Sequence, residues 1–472
     1  MGLAHELAAR IVALQYEDLS PAVLHWSKVA VLDTIGVTLA GAREPAATLI
    51  DAALELEAGQ GPSLVFGTAR RVAALDAAFI NGTAAHALDF DNTSPNLVGH
   101  SSGPLLSALI AAAEAYGGDG RDVLLAHAAG FETVARLGPG VNLHHYEKGW
   151  HPTASLGVFG VAAACARLLR LSVDETATAL AVCTSLASGI KANFGTMTKP
   201  LHAGHCARSG LLAVLLARRG YTANPEAFEH NLGFFNVFNG PGQYDASLIL
   251  PGWGEPLMLE SPGASYKQYP CCAGTDSAIE AALDLVREHG VFAPASIAHV
   301  ETWTAARRLA HTNRPDPRTA LEAKFSVQYC VARALLDGRV VFAHFEEEAC
   351  HDPVVRGLMP RVRASACTER QFPRENQYGA EIAVTLTDGR VLEARVEQAR
   401  GKSVAHPVAP GQLQAKFESC ASRVLPADAV AAVMQAVDAF ETLPSLRDFT
   451  RLLECRDLAR GKAAEPTAGS VS

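Results

Sequence analysis

From the N-terminus to about residue 220, apolar positions recur three and four residues apart, the spacing of a helix that buries one face. Gly, Pro or Asp divides the pattern into segments, and the period predicts helices over residues 21–40, 45–58, 72–88, 104–116, 121–135, 153–169, 173–188 and 205–219. Pro21, Pro45 and Pro104 fall where a first helical turn has no need of an N–H. Segments such as LGVFGVAAACARLL are apolar nearly all round, which suits a helix inside a large bundle. The opening MGLAHELAARIVALQYEDLS is amphipathic and carries acidic residues, so it reads as a first helix and not as a signal peptide.

After residue 260 the pattern changes. Residues 297–303, 362–367, 381–387 and 391–397 alternate or are β-branched, and VTLTDGRVLEARV predicts a hairpin turning at Asp388-Gly389. Helical spacing returns after Gly401, in LQAKFESCASRVL and AVAAVMQAVDAFE. The expected fold is therefore mainly α: a large all-α helical domain of residues 1–265 plus 402–472, interrupted by a smaller α+β lid domain of residues 266–401. The tail from Lys462 is expected to be unstructured.

Composition narrows the function classes. The chain is 49% hydrophobic and 19% charged, a globular mixture. Lys and Arg number 40 against 49 Asp and Glu, and no basic run could neutralise a row of phosphates, so no nucleic acid is expected as partner. No apolar run reaches the roughly 18 residues that span a bilayer. A cytoplasmic location without membrane contact is the expectation. The ten cysteines form no CxxC pair, and most lie in apolar segments as small core residues; the adjacent Cys271 and Cys272 follow a Pro in a turn-like stretch.

Several familiar motifs are incomplete. GKS at residues 401–403 resembles the end of a phosphate loop, but Val396 stands where its first Gly belongs. No GxGxxG follows a strand. His86 and Asp89 lie three apart on one helical face, yet no HExxH or matching carboxylate cluster completes a metal set. Neither metal nor cofactor is expected.

Polar side chains instead concentrate in four places. HALDFDNTSPNLVGH brings His86, Asp89, Asp91, Thr93 and His100 together between two Ala-rich segments. His151 stands just before Pro152 and Thr153 at the start of an apolar helix, where the helix dipole disfavours its protonated form. SGIKANFGTMTKPLHAGHCARSG holds Lys191, Lys199, His202, His205 and Arg208 between two buried-type helices, a composition suited to a carboxylate pocket. YKQYPCCAGTD places Lys267, Tyr269 and Asp276 where the helical pattern gives way to the mixed one; for Asp276, as for Thr275, helix capping is an equally good account.

HALDFDNT, GWHPTASLGVFGVAAACARLLRL, GTMTKPLHAGHCARSGLLAVLLARRGYT, KQYPCC and LEAKFSVQYCVARALLDG resemble, in order, the signature segments of the MmgE/PrpD family, over nearly the whole chain. The resemblance implies a cofactor-independent homodimer with a helical domain and an α+β lid. It implies a lyase, dehydratase or decarboxylase, acting on a small di- or tricarboxylate of the 2-methylcitrate or cis-aconitate type. An epimerase of an iminodisuccinate-type substrate, or a silent polycarboxylate-binding protein, is the alternative. By position it carries over Asp89, Thr93, His100, His151, Lys199 and Tyr329 as pocket residues. The implied roles make His100 and His151 acid/base groups, Lys199 a carboxylate clamp or proton donor, Asp89 a residue that orients a His, and Thr93 a substrate hydrogen bond. His202, Lys267 and Asp276 join them as substrate contacts. Two departures stand out: Asp276 occupies a place where the family often has His, and His100 is followed by Ser, where many members have Pro. An Asp there would repel a substrate carboxylate unless paired, with Lys267 as the expected partner.

Overall fold

The computed structural model describes residues 2–54, 60–141, 143–373, 378–404, 406–409 and 411–455. Its first half is a layered helical body of α1 (Leu3–Ala13), α2 (Pro21–Gly41), α3 (Pro45–Leu54), α4 (Ala74–Ala87), α5 (Ser102–Tyr116), α6 (Gly120–Val141), α7 (His144–Lys148), α8 (Pro152–Ser155), α9 (Gly157–Leu168), α10 (Val173–Leu186) and α11 (Thr198–Ala217). Local chemistry sets several starts. Ser20 accepts from the Val23 N–H ahead of Pro21, and Ser172 with Glu175 forms a reciprocal capping box.

Four of the helices depart most from the sequence expectation. The helix predicted from residue 72 starts at Ala74, because Arg71–Val72 (β2) pairs antiparallel with Ser63–Leu64 (β1). The one predicted over 121–135 runs on to Val141. The one predicted over 153–169 is broken near Leu156 into α8 and α9. The one predicted from residue 205 begins at Thr198, so Lys199 and His202 stand on its first turns instead of in a loop. Residues 55–58 and the tail from Lys462 lie outside the described residues.

By length and mean hydropathy, 1.2, α2 is apolar enough to cross a membrane, contrary to the expectation from uninterrupted apolar runs. It carries Lys28 and Asp33, and packs against α4, α5 and the helix Gln412–Ala421.

Small residues decide how closely helices cross. A Cβ on Gly82 of α4 would lie 2.9 Å from the Gly204 Cα of α11, and one on Gly204 would meet the Phe79 carbonyl oxygen at 2.2 Å. Only glycine allows that approach, and it brings the end of α4 beside the start of α11.

The second half contains a four-stranded sheet in the order β4-β3-β5-β6, from β3 (Ile297–Thr304), β4 (Val362–Ala366), β5 (Ala380–Leu386) and β6 (Val391–Val396). β3 and β4 run parallel; the other pairs are antiparallel, and Gly389, at φ 88°, sits in the predicted hairpin turn. β5 alternates, burying Ala380, Ile382, Val384 and Leu386 against the helices Asp276–His289 and Val327–Asp337. This makes a core separate from that of the helical body. Phe417, Val430, Val433 and Val437 of the later helices belong to the helical core. Eight of the ten cysteines are buried and all are free.

Candidate active site

Between the two cores lies a cavity of about 160 Å³. Its floor is the loop that follows α4. The helix ends at Ala87 with Leu88 as its cap, and Asp89 takes φ 52°, a left-handed conformation uncommon for any residue but Gly. Val98, also on the wall, has φ 56°, rarer still for a β-branched residue. Such conformations cost on the order of 1–3 kcal/mol each and persist only where surrounding contacts over-determine them.

At Asp89 those contacts come from three lysines far apart in sequence. Lys324 donates to the carbonyl of Leu88 (2.9 Å), Lys267 to that of Asp89 (2.6 Å) and Lys416 to that of Phe90 (2.7 Å). Three successive carbonyls are thus each held by a buried ammonium. Lys416 also pairs with the buried Asp33 (2.6 Å), whose other oxygen accepts from the Asn92 N–H. Burial raises the Asp33 carboxyl above its ordinary range, against the pull of Lys416.

Asp89 is the hub. Lys199 and Lys267 each place an ammonium 2.8 Å from its Oδ1, and Nε2 of His100 is 3.5 Å away. Burial alone would raise this carboxyl, but the two lysines outweigh it and hold Asp89 ionised, well below the usual carboxylate range. Lys267 is disfavoured by burial and more than recovered by Asp89, so its ammonium is held charged.

Asp91 stands behind, 2.9 Å from Nδ1 of His86 and 3.0 Å from Nδ1 of His100. Burial drives His86 down to about 4 and lowers His100 too, with Asp91 opposing in both. His151 is the residue before α8; its N–H donates to the Gly189 carbonyl (2.9 Å), and its Nδ1 is 3.1 Å from Nδ1 of His202. Burial first, and then the Lys199 charge and neighbouring histidines, hold His151 well below its ordinary value. The expected helix dipole is not needed to explain it. At neutral pH these imidazoles are uncharged and one of the two facing Nδ1 atoms carries the proton.

Of the residues singled out in the sequence, Asp89, Thr93, His100, His151, Lys199 and Lys267 line the cavity. Thr93 is fixed by paired backbone bonds to Ser265 (2.8 and 2.7 Å), and His100 by its N–H to Thr153 Oγ1 (2.9 Å). Gly99 permits the second contact, since a Cβ there would lie 2.8 Å from the Thr153 nitrogen. His202 stands behind His151, buried and driven down to about 4.

His202 is therefore not on the cavity wall as expected, and two further expected substrate contacts, Tyr329 and Asp276, are elsewhere. Tyr329 is buried in the sheet-side core, its hydroxyl donated to the His344 carbonyl and accepting from Nε of Arg333 (3.0 Å), so it reaches no cavity wall. Asp276 begins the helix Asp276–His289 and pairs with Lys402, not with Lys267, whose ammonium is taken by Asp89. Thr275 does not cap that helix; its hydroxyl donates to the Cys272 carbonyl (2.8 Å).

The cavity also contains residues the sequence pattern did not single out: Arg307, Arg308 and His311 from the short helix Ala306–Thr312, and Lys402. The doubled arginine of TAARRLAH was the available signal, but in a helical stretch it reads as a solvated face. In sequence, Lys402 stands out only within the incomplete GKS motif. Among the described lining residues, five cationic side chains (Lys199, Lys267, Arg307, Arg308, Lys402) face one carboxylate, Asp89.

His86, Asp89, Asp91 and His100 offer ligand atoms within 4.8 Å of one another, a metal-like grouping that sequence spacing had not revealed. The donor set fits a cation poorly. Two ammonium ions already sit 2.8 Å from Asp89 Oδ1 and would repel a divalent ion there.

Comparison with known proteins agrees with the order of these segments. Residues 5–247 match the MmgE/PrpD N-terminal domain and residues 269–442 the MmgE/PrpD C-terminal domain. The chain is 30% identical to human (Homo sapiens) cis-aconitate decarboxylase over 467 residues, 96% of this chain and 94% of the relative. It is 29% identical to the mouse (Mus musculus) cis-aconitate decarboxylase over 469 residues, 96% and 93%. A 2-methylcitrate dehydratase of Cupriavidus necator matches at 26% over 300 residues, 58% of each chain.

Proposed function

The chain belongs to the MmgE/PrpD family and is a lyase of that type, and from this premise we propose that it decarboxylates a small unsaturated tricarboxylate of the cis-aconitate type. The observation that carries the proposal is the cavity itself: five cations around one ionised carboxylate, facing histidines that are neutral at pH 7. Full-length similarity to decarboxylases, against partial similarity to a dehydratase, favours this over dehydration.

The chemistry needs what these residues supply. As the bond from the methylene carbon to its carboxylate breaks and CO2 leaves, the electron pair forms a new terminal double bond. The original double bond shifts its electrons to the vinylic carbon, which takes a proton. Negative charge develops on the neighbouring carboxylate, where preorganised cations lower the barrier. In this reading Lys199 clamps that carboxylate or gives the proton. His100 and His151 are the acid/base groups, becoming protonated when the substrate's charge enters beside them. Asp89 holds both lysines and His100 in place, and Thr93 donates a hydrogen bond. Residues 266–401 act as a lid domain closing over the helical residues, which suits a cavity lined from both cores. The protein works as a homodimer; exposed Leu232, Val237 and Leu248 are apolar surface such a contact would cover.

Purified protein incubated in deuterated water with cis-aconitate, 2-methylcitrate or iminodisuccinate, and followed by proton NMR, tests this. Conversion of cis-aconitate to 2-methylenesuccinate with one deuteron in the saturated methylene is expected. Turnover of methylcitrate or iminodisuccinate with cis-aconitate untouched would refute decarboxylation.

A further inference from the structure

The cations of the cavity are not equivalent. Lys199 and Lys267 are matched by Asp89, and Lys402 by Asp276. Among the described residues, neither Arg307 nor Arg308 has a carboxylate within ion-pair distance. Arg308 still has anchors: it donates to the Ala273 carbonyl (3.2 Å), and its guanidinium lies 5.1 Å from the centre of the Tyr378 ring. Arg307 is different. It lines the cavity, and among the described residues its buried Nε has no hydrogen-bond partner. A buried charged donor left unmatched is costly, and in a folded protein it calls for an explanation, which at a cavity wall a ligand would supply.

The position of Arg307 matters as much as its unmatched Nε. It projects from the short helix Ala306–Thr312 of the sheet-side half, whereas His100, His151 and Lys199 come from the helical body. A substrate carboxylate beside the histidines is served by the lysines around Asp89; a different carboxylate of the same molecule is needed to satisfy Arg307. The planar fork of a guanidinium suits that ligand, since two parallel N–H groups match the two oxygens of a carboxylate.

We propose that Arg307 is the specificity-determining residue of this site, its guanidinium receiving a carboxylate remote from the reacting carbon, so that a tricarboxylate is selected over dicarboxylates. The proposal rests on the polycarboxylate reading above and names the residue that counts the carboxylates.

Unreactive ligands test it without turnover. Tricarballylate has three carboxylates on a saturated three-carbon chain; glutarate lacks the central one and 2-methylsuccinate a terminal one. Their binding to the full chain is measured by calorimetry for wild type, Arg307→Gln and Arg307→Lys. In wild type, tricarballylate is expected to bind at least tenfold more tightly than either dicarboxylate. Arg307→Gln should weaken tricarballylate tenfold or more and leave one dicarboxylate within twofold. Arg307→Lys, which keeps the charge without the fork and preserves folding should the Gln variant be unstable, should fall between. Equal affinities of wild type and both variants for tricarballylate would overturn the role of Arg307 alone. A uniform loss for all three ligands would also overturn it, reducing Arg307 to a contributor to the general potential. Failure of wild type to bind tricarballylate would instead sink the polycarboxylate reading together with this proposal.

Discussion

Replacing Lys416 by Met should expose how the floor of the cavity is held. Lys416 is buried, pairs with Asp33 at 2.6 Å and donates to the Phe90 carbonyl at 2.7 Å. Met keeps most of the side-chain volume, so the change removes charge and hydrogen bonds more than packing. Breaking one partner of a buried pair costs about 3–5 kcal/mol, because the remaining charge is stranded. With about 2.1 cal/mol/K of unfolding entropy per residue, a chain of this length carries about 1 kcal/mol/K, and the expected fall in Tm is about 3–5 °C. The sign of its pH dependence follows from Asp33. Its folded carboxyl is already raised by burial, and losing Lys416 raises it further. A raised group favours the folded state at low pH and loses that contribution as pH rises, so the deficit relative to wild type should be smaller at pH 5.5 than at pH 8. Asp33→Asn combined with Lys416→Met leaves no stranded charge and should recover most of the Tm. Activity should not return with it, since the carbonyl beside the strained Asp89 remains unheld. Calorimetric melts of the three variants at both pH values, with kcat measured alongside, are the assay. A Lys416→Met protein that melts with wild type, or whose deficit is the same at both pH values, would refute this account of the pair.

Three further outcomes are expected. Lys199→Met should lower kcat/KM on the order of 10² while Tm moves by only a few degrees, since Asp89 keeps Lys267 at 2.8 Å; steady-state rates beside melting curves check both, and unfolding would make Lys199 structural. Because burial depresses His86, His100 and His151 in the folded protein, an unfolded chain with histidines near 6.5 takes up protons the fold refuses. Stability should therefore be lost as pH falls from 6.5 toward 4, as melts across that range would show; a Tm independent of pH there would refute it. Tyr329→Phe should cost about 1–2 kcal/mol through the lost bond to the His344 carbonyl and leave KM unchanged; a raised KM in initial-rate assays would return Tyr329 to the cavity.

Periodicity carried most of the secondary structure, because a buried helix face must repeat near 3.6 residues and a half-buried strand near two. The helical first half, the hairpin at Asp388-Gly389 and the helices after Gly401 were all legible in that way. So were Asp89, Thr93, His100, His151, Lys199 and Lys267, since clustered polar side chains between apolar helices have few other uses and their segments resembled a known family. Tertiary structure decided what spacing could not encode. Asp89 gathers lysines from positions 199 and 267, while positions 324 and 416 supply the neighbouring carbonyl contacts; the glycine crossing of α4 and α11 brings Lys199 within reach. Tyr329 and Asp276 look like site residues in sequence, but the Tyr329 ring is needed by the sheet-side core, and Asp276 found Lys402, which is 126 residues away. Arg307 is the converse case, a plain helical arginine in sequence that enters the cavity because its short helix faces the gap between the cores. Local pattern reports which face of an element must be hidden; which charges then meet across the hidden space depends on contacts between residues hundreds of positions apart.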